Sequence, residues 1–164
     1  MHFAARCYAS IAAGGLIALS APVPAQLIVH KDLSYAIALT IAETALQDCK
    51  VRGYGVSAVV VDRGGDTVVA LRGDNAGLHT MENARRKAYT ARTFRMTTEE
   101  FAKRVATEPV RREQTTLPGI IAIPGGVPIK VGNDVIGGVG VSGSPGVDEP
   151  CVMAGLEKVK DQLK

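Results

Sequence analysis

The segment Ser57 to Arg72, SAVVVDRGGDTVVALR, constrains the fold of this chain most. Ser57-Ala58-Val59-Val60-Val61 is rich in β-branched residues and predicts a central strand covered on at least one face. Arg63-Gly64-Gly65-Asp66 has the chemistry of a hairpin turn, because glycine reaches positive φ without a Cβ clash. Thr67 to Arg72 then predicts the returning strand. The domain is therefore expected to grow from antiparallel pairing.

The flanking segments have different periods. Leu33, Ile37, Ile41 and Thr44 recur at helical spacing, so a helix is expected over Lys31–Lys50, with Asp32 or Ser34 placed to cap it. A second helix is expected from near Met81 to near Arg95, with Thr80 as its cap. Its Ala84, Ala88 and Ala91 form a small-residue face that allows close approach to a sheet. Thr97 and Glu100 fit a capping box for a short helix that ends near Val105. Thr107 to Thr116 reads as a polar connection. Ile120–Ile123, Val127–Val131 and Val135–Val141 read as strands, and Asp148–Leu163 as the last helix. Hairpins flanked by helices predict an α+β domain with five strands.

The first 25 residues read as a secretory signal. Arg6 gives a weakly positive start, Cys7 to Ala21 is apolar or small, and Val23-Pro24-Ala25 predicts cleavage before Gln26. The apolar run is shorter than the roughly 20 residues of a membrane span, so no anchor is expected after cleavage. A mature chain 26–164, about 139 residues, suits a single domain. The net charge of +3 is too small to imply a nucleic-acid partner. Export to the periplasm or outside the cell makes Cys49 and Cys151 a candidate disulfide between the terminal helices.

The candidate site residues cluster after the hairpin. Arg72, Asp74 and Lys87 can hold a carboxylate or propionate, or form a structural ion pair between Asp74 and Arg72 or Lys87. His79 can bind a metal or haem iron, or serve as a capping or surface residue. Isolated histidines without paired spacing do not make a zinc site. Gly138-Val139-Gly140-Val141-Ser142-Gly143 matches a dinucleotide fingerprint but lacks the βαβ context, so its glycines are expected to pack against the final helix or another subunit. Ser142 lacks the setting of a catalytic serine.

Asp62-Arg63-x-Gly65, Arg72-x-Asp74-x-Ala76, Ala84-x-x-Lys87-Ala88-x-Thr90-Ala91, Gly125-Gly126-x-Pro128-Ile129 and Gly137-x-x-Gly140-Val141-Ser142-Gly143 occur in this order. Together they resemble the haem-degrading domain family, GlcG-like or HbpS-like, over about Leu33 to Leu163. The resemblance implies a profilin-like antiparallel sheet flanked by helices, a homo-oligomer, and haem as a possible cofactor. It implies His79 or Thr97 on the iron side, Arg72 and Lys87 against propionates, and Asp74 orienting Arg72. Thr97 has the helix-cap role as its alternative. The chain has no Trp, so a groove between subunits, with Phe94, Phe101, Met81 and Met96 near it, suits haem better than an aromatic-walled pocket. The functional expectation is a secreted or periplasmic haem-binding protein that stores, senses or slowly degrades haem. The alternatives are an enzyme or accessory protein for a small, glycolate-like carboxylate, with Lys87 or His79 as base, and an assembly module without a ligand.

Overall fold

In a computed structural model the described residues are 26–164. The expected signal segment, with Arg6 and Cys7, lies outside them. Helix α1 spans Tyr35–Val51. Ser34 is its cap: the hydroxyl accepts from the Ile37 N–H at 3.3 Å. Strand β1, Ser57–Val61, turns through Asp62–Asp66 into β2, Thr67–Arg72, and the two pair antiparallel. The Asp62 N–H donates to Asp66 O at 2.9 Å and closes the turn.

Helices α2, Thr80–Phe94, α3, Thr98–Thr107, and α4, Pro109–Gln114, follow. The last of these occupies the expected polar connection, where Pro109 presets the helical φ of the first turn. Strands β3, Gly126–Val131, and β4, Asp134–Ser142, form a second hairpin, and α5, Asp148–Val159, ends in a single 3-10 turn. All pairings are antiparallel, and the strand order is β2-β1-β4-β3.

The class is α+β, as the sequence predicts, but the sheet of the described residues has four strands rather than five. Ile120–Ile123 forms no strand because α2 takes over its backbone partners. The Ile121 N–H donates to Thr90 Oγ1 at 2.9 Å, and Arg86 donates to Ile120 O. Ile120 and Ile121 are still buried, which explains their apolar character without a ladder.

The sheet lies between helical layers. On one face α1 and α5 cover Ala58, Val60, Ile129, Val139 and Val141. On the other, α2 covers Val59 and Val61 through Ala84 and Ala88. Strand β1 is buried along its whole length for this reason. The approach of α2 depends on β4: a Cβ at Gly138 would come within 2.3 Å of Ala88 O, and one at Gly140 within 2.2 Å of Ala84 O. Gly138 and Gly140 of the fingerprint thus pack against α2 rather than against the final helix, the first of the two partners the sequence suggests. Small residues on both sides let backbone meet backbone.

Candidate functional site

Lys87 is an exception on the inner face of α2. It falls among Ala84, Ala88 and Ala91, and its side chain is 1 % exposed. An ammonium taken out of water needs partners. Lys87 Nζ donates to Asp148 Oδ2 at 2.7 Å and to Val141 O at 2.9 Å. Asp148, in the first turn of α5, also accepts from the Ser144 N–H at 2.9 Å and the Ser144 hydroxyl at 2.8 Å. Ser144 Oγ lies 3.3 Å from Cys49 Sγ, and Cys49 is disulfide-bonded to Cys151. One buried chain of contacts therefore joins α2, the end of β4, α5 and α1. Gly125 lies over it with φ +115°; a Cβ there would be 2.5 Å from Asp148 Cβ and 3.1 Å from Lys87 Nζ.

Two open grooves flank this junction and share Gly53, Tyr54, Gly55 and Asn75 as a common wall. The first, about 530 Å³, holds Lys50, Arg72 and Asp74. Arg72 Nη2 donates to Ala76 O at 2.7 Å, which holds the guanidinium beside the turn after β2. The Asp74 side chain is almost wholly exposed and lies 4.0 Å from Lys50 Nζ. The second groove, about 630 Å³, holds His79, Asn83, Lys87 and Ser142. The His79 side chain makes no cap bond to α2. Instead the Thr80 hydroxyl donates to Gly77 O at 2.7 Å and meets Ser57 Oγ at 2.8 Å.

The structure thus separates the expected cluster. Arg72 and Asp74 share one groove and His79 and Lys87 the next. The ion-pair alternative for Asp74 is corrected as well: its cationic neighbour is Lys50, while Lys87 turns inward to Asp148. Thr97 lies away from both, in a groove of about 640 Å³ with Met96, Val127 and Met153. There it caps α3, accepting from the Glu100 N–H at 3.2 Å. Phe94 and Phe101 stack on each other at 4.4 Å, and Met81 packs on the sheet, so these residues serve packing. Beside the junction, burial holds the Glu149 carboxyl above its ordinary value, and the nearby Glu99 charge raises it further.

Asp148, Ser144, Tyr54 and Asn83 join the site without being singled out by the sequence. Asp148 had a signal: a lysine on the apolar stripe of α2 requires a buried acceptor elsewhere in the chain. Among the described residues, no group of three or more His, Cys, Asp or Glu side chains is arranged to hold a metal ion. No helix among them is long and apolar enough to cross a membrane.

Residues 33–157 match the family described as "Haem degrading protein HbpS-like". The crystal structure of HbpS superposes with a TM-score of 0.77 at 36 % identity, covering 84 % of this chain and 99 % of that one. Protein ORFY of Klebsiella pneumoniae superposes with a TM-score of 0.73 at 27 % identity, covering 83 % of this chain and 96 % of that one. A complex of PduOC with haem shares the fold, at 24 % identity and a TM-score of 0.70, over 76 % of this chain and 93 % of that one. A Citrobacter freundii protein from the dhaT-dhaS intergenic region is 36 % identical over 86 residues. That match spans 51 % of this chain and 61 % of the relative's length.

Proposed function

The chain belongs to the haem-degrading, HbpS-like family, and from that premise we propose that it binds haem in the groove beside Tyr54. The observation that carries the assignment is the pair of adjoining grooves with one common wall, His79 in one and Arg72 in the other. A porphyrin laid across Tyr54 would present its iron to the His79 imidazole and a propionate to the Arg72 guanidinium. Lys87 has no propionate role in this reading, because Asp148 and Val141 already hold its ammonium. Thr97 is the less favoured iron-side residue, since its hydroxyl caps α3 in a different groove.

The protein is proposed to act after export, in the periplasm or outside the cell, as a homo-oligomer that holds haem or slowly breaks it down. The buried Cys49–Cys151 disulfide supports an oxidising compartment. Mass spectrometry of the exported protein should find Gln26 as its first residue. Hemin titration into the purified protein should give a saturable Soret band. His79→Ala should weaken or shift that band, and Thr97→Ala should leave it unchanged. Faster bleaching than free hemin, under ascorbate in air, would distinguish breakdown from storage.

A second reading is favoured by Arg72 and Lys50 lining one groove: the protein binds a small carboxylate there. A thermal-shift screen of hemin against glycolate separates the two, since ligand at 100 times its dissociation constant adds about 2.7 kcal/mol. Stabilisation by glycolate with no response to hemin would replace the haem reading.

A further inference from the structure

The inner floor of the His79 groove has hydrogen-bond donors that the haem reading does not use. Ser142 is 4 % exposed, lines the groove, and its hydroxyl takes no hydrogen-bond partner among the described residues. Its β1 partner across the sheet is Ser57, whose hydroxyl meets Thr80 on α2, so Ser142 faces α2 as well. Directly paired residues of an antiparallel ladder share a face. Lys87 offers the groove no donor, because its side chain is 1 % exposed and Asp148 and Val141 hold its ammonium. Thr80 offers no further donor, because its single proton goes to Gly77 O. The floor is thus left with the Ser142 O–H, and the half-buried Asn83 amide, which makes no side-chain hydrogen bond among the described residues, lines the same groove.

The charge of the floor decides what it would take. Lys87 and Asp148 are both buried and balance each other. An added carboxylate would lose its hydration without a free counter-charge, whereas a neutral carbonyl loses far less and still accepts from the Ser142 hydroxyl and the Asn83 amide. We propose that this floor is a binding site for a small neutral carbonyl compound, an amide or ketone, held by the Ser142 hydroxyl and the Asn83 side-chain amide. The site does not depend on haem binding.

Acetamide and acetate are nearly isosteric probes of opposite prediction. In a heteronuclear NMR titration of the isotope-labelled protein, acetamide should give saturable shifts centred on Asn83, Lys87, Ser142 and Gly143. Acetate should bind more weakly at the same residues. Ser142→Ala should weaken acetamide about fivefold, the ratio expected for one lost hydrogen bond, with thermal unfolding unchanged. Should Ser142→Ala unfold, Asn83→Ala is the substitute and should weaken acetamide likewise. Tighter binding of acetate, an unaltered acetamide affinity in the folded variant, or no saturable shift at these residues would overturn the assignment. Hemin titration of the same variants is read separately, so either reading can fail without the other.

Discussion

The two sides of Tyr54 differ in how they treat charge. On the α2–α5 side, Lys87 and Asp148 are 1 % and 8 % exposed and saturate each other with Val141 and Ser144. On the β2 side, Asp74 is 91 % exposed, and its contact with Lys50 is at the limit of an ion pair. Both regions place cationic and acidic residues near one sheet end. The folded chain gives them opposite physics. A buried charge whose partner is removed has no water to replace it, whereas an exposed charge does. The buried pair holds the layers together, and the exposed charges keep their water.

The largest contrast is predicted between substitutions of these two groups. Lys87→Met should destabilise the protein by about 3–5 kcal/mol, because it strands the Asp148 carboxylate. Arg72→Ala should stay within about 0.5 kcal/mol. Urea unfolding of both variants checks this, and comparable losses would break the distinction. Lys87→Met combined with Asp148→Leu should recover much of the deficit, since no orphan charge remains.

Loss of the disulfide comes next. Cys49→Ser with Cys151→Ser opens a loop of 102 residues and should cost about 2–5 kcal/mol. Because Cys49 lies beside Ser144, hydrogen exchange should rise from Ser144 to Cys151 and stay unchanged around Asp74.

Thr97→Ala sharpens the role of the third groove. It removes a helix cap and should cost about 1 kcal/mol, read by thermal unfolding, with no change in hemin affinity. A loss of hemin affinity without a loss of stability would return Thr97 to the iron.

The smallest effect concerns Glu149. Its folded pKa lies above its ordinary value, from burial first and Glu99 second. The native state then keeps a proton that the unfolded chain releases. Stability should therefore fall as pH rises from the ordinary carboxylate value through the raised one. Glu149→Gln should flatten that slope in unfolding measured across mildly acidic pH.

The sequence made the hairpin, the α2 small-residue face and the α5 stripe legible, because each is a local period. It did not make the loop at Ile120–Ile123 legible. Its apolar run suits a strand, and only the side chains of Thr90 and Arg86, about 30 residues away in the chain, satisfy its backbone. The Lys87–Asp148 pair was half visible. The position of Lys87 on an apolar face required burial, but its partner lies 61 residues away and looked like an ordinary helix start. Proximity in sequence joined Lys87 to Asp74 for the same reason: helical phase, not spacing, decides which way a side chain turns.

The most direct test is a crystal structure of the hemin complex, with the iron located by anomalous scattering. The account predicts iron within bonding distance of the His79 imidazole, with the porphyrin across Tyr54 and a propionate at Arg72. Iron in the Thr97 groove, or porphyrin away from Tyr54 altogether, would contradict it.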